Sequence, residues 1–165
     1  MRTLCMAGAL GALVLSVTAC SSSSAGTASD AALQRKADLY DIDLLERNFH
    51  KATSKHDIDL MMSLWAPNAT FTYGPGETAT GKKEIRHAIL EESAPFKHNW
   101  VSDTPAYKVR VTVNGDRGAL HFECHYIDVK TKKLVSHTAA DQEVARINGH
   151  WLVTSMVGGS APLRP

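Results

Sequence analysis

Two histidines and a glutamate alternate in one largely apolar stretch of the chain, at His121, Glu123 and His125. Successive side chains of a β-strand point to opposite faces, so this spacing of two places all three on one face. Two imidazoles and a carboxylate are a ligand set that zinc accepts. They also suit a hydrogen-bonded acid–base cluster in which Glu123 orients a neighbouring ring, or the solvated face of a half-exposed sheet. The sequence leaves these three interpretations open.

The strand that carries this pattern lies in an alternating second half of the chain. Alternation predicts four strands, over 107–113, 119–128, 134–147 and 151–157. Asn114-Gly115-Asp116 and Asn148-Gly149 supply the turn residues that antiparallel hairpins use. An antiparallel meander is therefore expected to hold the polar triplet.

The first half of the chain has helical spacing instead. Residues 31–54 predict an amphipathic helix whose buried stripe holds Ile42, Leu45, Phe49 and Ala52. Glu46 lies off that stripe and is expected to face solvent. Helices followed by a meander indicate the α+β class.

Three shorter elements complete the first half. A second helix is predicted over 57–65, capped by Asp57 and ended by Pro67. A short strand over 70–73 and a third helix that starts at Gly81 follow it. The sequence therefore predicts three helices ahead of the long strands.

The beginning of the chain has the pattern of an export signal. Arg2 precedes an apolar run over 4–17 that is shorter than the roughly 20 residues a membrane-spanning helix needs. Val17-Thr18-Ala19-Cys20 resembles the bacterial lipobox, whose cysteine receives lipid and becomes the new N-terminus. We therefore expect a signal peptide over 1–19, lipidated Cys20 with a flexible Ser-rich linker over 20–30, and a domain over 31–165 in the cell envelope.

Charge and cysteine content limit the partners of that domain. The formal net charge is +1 and like charges do not run in blocks, so nucleic acid is not an expected partner. The only expected membrane contact is through the lipid anchor. Cys124 is the one cysteine left after the signal and Cys20, which excludes an internal disulfide and predicts a buried, inert thiol.

Three segments carry a resemblance to a known family: Ala66-Pro67-Asn68-Ala69-Thr70-Phe71-Thr72-Tyr73, Gly81-Lys82-Lys83-Glu84-Ile85 and Gly149-His150-Trp151-Leu152-Val153. In order and spacing they resemble the SnoaL-like branch of the nuclear transport factor 2-like superfamily. The resemblance implies a cone-shaped α+β barrel in which three helices pack on a curved antiparallel sheet and enclose a pocket. Its members include polyketide cyclases, steroid isomerases and dehydratases, so the fold alone does not fix the function.

The resemblance also implies site residues. Relatives of scytalone dehydratase use two histidines, a tyrosine and an aspartate, and His98, His121 and Tyr73 fall at positions like those of the first three. Thr138 falls near a hydroxyl-bearing position. Thr53 and Ser54 stand where that group has tyrosine and aspartate, so the carboxylate does not carry over. We therefore expect His98, His121 and Tyr73 to meet in one pocket, with Glu123, His125, Thr138 and Ser54 as ligand-binding residues.

The other face of the central strand decides how the sheet is covered. Leu120, Phe122, Cys124 and Tyr126 alternate with the polar triplet. If the polar face lines the pocket, this apolar face lies outside and needs a partner subunit, which predicts a homodimer through the sheet. If the register is reversed, the apolar residues line the pocket and the histidines face solvent.

Three functions fit these expectations. The first is an exported, lipid-anchored SnoaL-like domain that binds a small hydrophobic ligand without cofactor or metal. The second is a lyase or isomerase in which one histidine removes a proton beside a carbonyl and the other stabilises the oxyanion. The third is an envelope module that binds other proteins.

Overall fold

The described part of the chain forms four helices and seven strands. It comprises residues 24–103 and 106–160 of a computed structural model. In chain order the elements are α1 (Ser24–Lys55), α2 (Ile58–Ser63), β1 (Trp65–Gly74), β2 (Glu77–Thr80), α3 (Gly81–Glu92), α4 (Ala94–Lys97), β3 (Trp100–Ser102), β4 (Lys108–Asn114), β5 (Arg117–Asp128), β6 (Leu134–Ile147) and β7 (His150–Ser160). The predicted α+β class is confirmed.

All seven strands join one sheet. Its order is β2-β1-β7-β6-β5-β3, with β4 also paired to β5. The pairs β4–β5, β5–β6 and β6–β7 are antiparallel, as the meander predicts, whereas β1 pairs with β7 in parallel. The helices cover one face of this sheet, which we call the inner face; the opposite face is the outer face.

The first helix is longer than predicted. It starts at Ser24, inside the segment expected to be a flexible linker, and continues without a break into the predicted helix. The buried stripe holds the predicted residues from Ile42 to Ala52. Residues 1–23, with the predicted signal peptide and Cys20, lie outside the described residues.

The start of β1 corrects a predicted boundary. Asp57 caps α2 as expected, accepting a hydrogen bond from Leu60 N at 2.9 Å, but the helix ends at Ser63 and Trp65 begins a strand. Pro67 lies within that strand and ends no helix. The pairing of β1 with β7 shifts register between Trp65 and Thr70, and a bulge tolerates a proline that lacks an N–H.

The hydrophobic core lies between α1 and the inner face. Leu120, Phe122, Cys124 and Tyr126 are all buried there, so the second register holds and the apolar face of β5 points inward. Gly118 allows α1 to approach closely, since a Cβ atom would lie 3.2 Å from Ile42 Cδ1. The homodimer was expected because an outward apolar face of β5 would need cover, and that reason no longer applies. The homodimer stays an untested prediction.

The described helices include none that is long and apolar enough to cross a bilayer.

Candidate functional site

A cavity of about 240 Å³ lies between the helices and the inner face. We call it the inner cavity. Its aromatic lining is provided by Phe49, Trp65, Phe71, Tyr73, Phe96, Trp100, Phe122 and Tyr126. Aliphatic and small residues from α2, α3 and β7 complete the wall, among them Met61, Ala88, Ile89, Met156 and Gly158.

Local periodicity places these side chains. Phe49 and Thr53 are four residues apart, so both lie on the face of α1 that meets the sheet. Phe122 and Tyr126 are two alternations apart on β5, which turns both inward. The wall therefore follows from two simple patterns, one helical and one extended.

The aromatic rings form a continuous shell. Phe49 lies 5.7 Å from Phe122 and 6.4 Å from Trp65 between ring centroids, and Trp65 lies 5.7 Å from Phe71. Phe71 in turn lies 5.4 Å from Tyr73. These separations are typical of favourable aromatic pairs, so the wall is preformed.

Few polar groups interrupt this shell. Trp65 is fully buried, and its indole Nε1 has no hydrogen-bond partner among the described residues. Burial raises the pKa of Tyr126 well above its ordinary value, so its phenol stays protonated. Thr53 donates its hydroxyl hydrogen to Phe49 O at 2.9 Å. Trp65 Nε1 is thus a buried donor of this wall that has no partner within the described residues.

Of the seven predicted catalytic and ligand-binding residues, two line the cavity and five do not. Tyr73 and Thr138 are part of its wall. Ser54 lies next to the lining residue Thr53 but contacts Ser102, whose N–H donates to Ser54 Oγ at 2.9 Å. Ser54 therefore fastens β3 to α1.

His98 lies outside the cavity wall. It ends α4, where its N–H donates to Ala94 O at 3.0 Å, and its exposed ring stacks on Trp100 with centroids 5.0 Å apart. Trp100 lines the cavity in its place.

His121, Glu123 and His125 lie on the outer face. His121 Nδ1 is 2.7 Å from Asp141 Oδ1, and its Nε2 is 3.3 Å from Glu123 Oε1. The expectation that His98, His121 and Tyr73 meet in one pocket is wrong, because the inward register of Phe122 turns His121 to the opposite side of the sheet.

The outer-face residues form a hydrogen-bonded group, which we call the outer-face cluster: Tyr107, Lys108, His121, Glu123, His125, His137 and Asp141. Tyr107 donates its hydroxyl hydrogen to Glu123 Oε2 at 2.5 Å and contacts His137, while Lys108 donates to Oε1. The hydrogen bond from Lys108, which is the larger cause, and the one from Tyr107 lower the pKa of Glu123 to about 2. Within the described ranges, no group of three or more histidine, cysteine, aspartate or glutamate side chains is placed to hold a metal ion.

A buried polar pair lies on α1, at a position where the sequence predicted an exposed residue. Glu46 is fully buried, and so is His50 one turn later. Four-residue spacing from Ile42 puts Glu46 on the buried stripe, and this spacing was the signal that could have revealed it. Phe49 and Trp65 were not predicted to line the cavity, and Tyr126 was expected there only in the second register.

Comparison with known sequences decides the family. The sequence profile described as the SnoaL-like domain matches residues 46–154. The chain belongs to the SnoaL-like domain family. No curated protein sequence matches it.

Solved structures share the SnoaL-like fold of this chain. An NTF2-like protein with a cystatin-like fold from Novosphingobium aromaticivorans has a TM-score of 0.71 at 15% identity, covering 84% of this chain and 91% of that one. A protein of unknown function from Nostoc punctiforme has a TM-score of 0.67 at 18% identity, covering 78% and 95%. A hexachlorocyclohexane dehydrochlorinase from Novosphingobium barchaimii has 0.66 at 16%, covering 81% and 93%. At these identities the likeness shows the fold alone.

Proposed function

We propose that the inner cavity binds a small, largely apolar molecule that carries a hydrogen-bond acceptor. The observation that carries this proposal is the indole N–H of Trp65, which belongs to the largely apolar cavity wall and has no hydrogen-bond partner among the described residues. A buried donor without a partner costs about 1–3 kcal/mol, and a ligand acceptor would remove that cost.

The size of the cavity limits the ligand. Its volume of about 240 Å³ is below the roughly 300–1,000 Å³ typical of drug-sized sites. It exceeds the roughly 150 Å³ of an apolar cavity that takes benzene. A molecule of one or two rings, or a short branched chain, fits this range.

The polar groups at the wall favour an acceptor on the ligand. Trp65 Nε1 can only donate, and Tyr126 keeps its hydroxyl proton because burial raises its pKa. A carbonyl oxygen supplies the acceptor that the indole N–H needs. A ketone, ester or lactone therefore suits this site better than a hydrocarbon.

Binding is better supported than catalysis. Of the eight histidines, none is among the described residues that line the cavity. Glu92 is the one carboxylate of that lining, and more than half of its side chain is exposed. General base catalysis needs a group held within reach of the substrate proton, and a solvated rim carboxylate is poorly placed for it.

An elimination enzyme is the second candidate. It is favoured by the dehydrochlorinases among the structural neighbours, which share this fold. In that case Glu92 would remove the proton on the carbon beside the carbonyl, and Tyr126 would donate to the developing oxyanion. The β-hydroxyl group would then leave as water, taking the proton that Glu92 had removed. Glu92→Gln would then abolish turnover of a β-hydroxy ketone while leaving its affinity nearly unchanged, as mass spectrometry of the products would show.

A pair of matched ligands tests the binding proposal. Binding of 2-acetylnaphthalene and 2-ethylnaphthalene, which differ in the carbonyl oxygen, is followed by quenching of tryptophan fluorescence. The ketone is expected to bind roughly 3- to 10-fold more tightly, in keeping with one net hydrogen bond. In Trp65→Phe this preference should vanish while the hydrocarbon still binds. Equal affinities in the parent protein would refute the acceptor, and no binding of either ligand would refute the site.

We further propose that the domain is exported and anchored through lipid on Cys20. The support is the run of residues from Arg2 to Cys20, which resembles a lipoprotein signal. Cys20→Ala should move the protein from the detergent phase to the aqueous phase. An unmodified Cys20 in the membrane-bound protein, seen by mass spectrometry, would contradict this proposal.

A further inference from the structure

The turn between β5 and β6 carries three lysines at one end of the sheet. We call residues 127–135 the hairpin tip. Every residue from Val129 to Val135 is exposed, including Lys130, Lys132 and Lys133. In the described part of the chain none of these lysines has an ion-pair partner. Their charges are therefore available to an external partner.

Aliphatic side chains accompany the lysines. Ile127, Val129, Leu134 and Val135 are each between 37% and 46% exposed. A single exposed aliphatic residue is ordinary, but four within nine residues concentrate apolar surface at this end of the sheet. The hairpin tip thus combines positive charge with apolar surface.

The tip has a defined shape. Asp128 Oδ1 accepts hydrogen bonds from Lys130 N at 3.0 Å and Thr131 N at 2.7 Å. Asp128 N donates to Lys133 O at 3.0 Å, which closes the turn. The Asp128 carboxylate is thus occupied by the turn itself, and the bonds to Thr131 lower its pKa.

The hairpin tip adjoins the inner cavity. Ser136 lines the cavity and directly follows the exposed Val135. On the other strand, Asp128 pairs with Trp100, which also lines the cavity. Val129 N donates to Asn99 O at 3.0 Å, so the tip is fastened to the segment beside the cavity.

We propose that the hairpin tip docks on the surface of an anionic lipid bilayer, and that the inner cavity takes its ligand from that surface. The lysines meet anionic headgroups while the aliphatic side chains enter the acyl boundary. A nucleic acid would engage the lysines and leave the aliphatic residues in water. The docking step stands alone, whereas the ligand step rests on the proposed binding function.

Vesicle flotation of the full chain tests the docking step. Vesicles of phosphatidylcholine are compared with vesicles that also contain phosphatidylglycerol. The tip variant replaces Lys130, Lys132 and Lys133 by Gln. A control variant replaces Lys51, Lys82 and Lys83 by Gln, which removes the same charge from exposed or half-buried helix positions elsewhere. All three proteins carry Cys20→Ala, so that the proposed lipid anchor does not hold them on the vesicles.

The expected results separate the two kinds of contact. Each lysine near an anionic leaflet contributes a factor of about five, so the tip variant should partition about 100-fold less onto anionic vesicles while the control variant matches the parent. A variant that carries both Val129→Ser and Leu134→Ser should partition onto anionic vesicles about tenfold less than the parent. Equal partitioning of tip and control variants would overturn the proposal. So would an unchanged affinity of the serine variant together with equally tight binding to a DNA oligonucleotide, which marks a general polyanion site.

A solution measurement keeps docking and ligand binding distinct. The tip variant should still bind 2-acetylnaphthalene with the affinity of the parent, because none of its substitutions lines the cavity. If the hairpin tip docks on the bilayer and the inner cavity takes its ligand from that surface, the parent should extract 2-acetylnaphthalene from anionic vesicles at least tenfold faster than the tip variant. Equal extraction rates with confirmed docking would overturn the ligand step alone.

Discussion

The Glu46 carboxylate lies 3.1 Å from His50 Nε2, and neither side chain is exposed to solvent. Glu46 Oε1 also accepts a hydrogen bond from Ala106 N at 3.1 Å. His50 Nδ1 lies 3.1 Å from Ser102 Oγ. This pair therefore joins α1 to the end of β3 and to the connection that follows it.

Removing one member of this pair should be costly. His50→Leu leaves the Glu46 carboxyl group buried without its imidazole partner, a change that typically costs about 3–5 kcal/mol. Replacing both residues by Leu should recover part of that loss, because an apolar pair needs no polar partner. Denaturant unfolding followed by circular dichroism measures both variants.

The same helix offers a matched control. Arg47 and Asp43 have the same four-residue spacing, but their 2.7 Å contact lies at the surface. Arg47→Ala should leave the free energy of unfolding almost unchanged. If His50→Leu is as mild as Arg47→Ala, the buried pair has no structural role.

Glu123 should make stability depend on acid pH. Lys108 and then Tyr107 hold its pKa at about 2, below the ordinary 4.5. Because the folded-state pKa is the lower one, the stabilisation is present above about pH 4.5 and is lost as pH falls towards about 2. The gap in unfolding free energy between the parent and Glu123→Gln should therefore shrink across that range.

Glu143→Gln is the control for this pH dependence. Glu143 lies on β6, two residues beyond Asp141 on the exposed side of the strand, and it has no ion pair within the described ranges. Glu143→Gln should change the free energy of unfolding little at any pH. A gap for Glu123→Gln that stays constant from about pH 6 to about pH 2 would contradict the assignment.

The long strands were predictable from sequence because their alternation extends over many residues. β6 begins and ends at Leu134 and Ile147 as predicted, and β5 differs only at its start. The helical stripe from Ile42 to Phe49 was predictable for the same reason. β2, α4 and β3 were not predicted, since three or four residues carry no measurable period.

The site was less predictable than the fold. Alternation shows that His121 and Phe122 point to opposite faces of the sheet, but it does not show which of them faces the helices. That choice decides which residues line the inner cavity. Burial of Glu46 was missed because one of its partners, Ala106 N, reaches it only when α1 packs on the strands. Tyr73 and Thr138 were placed correctly on the cavity side through the family resemblance.

Two consecutive residues of β6 allow a test of the cavity with its own control. Thr138 lines the inner cavity, whereas Ala139 pairs with Glu123 and faces the outer side. Thr138→Phe should fill much of the cavity and lower affinity for 2-acetylnaphthalene at least tenfold, since an occupied cavity leaves no room for the ligand. Ala139→Phe adds a ring to the same strand and should leave that affinity unchanged. Titration by tryptophan quenching measures both variants, and thermal unfolding checks that each is folded. If the two variants bind the ketone alike, the ligand does not occupy the inner cavity.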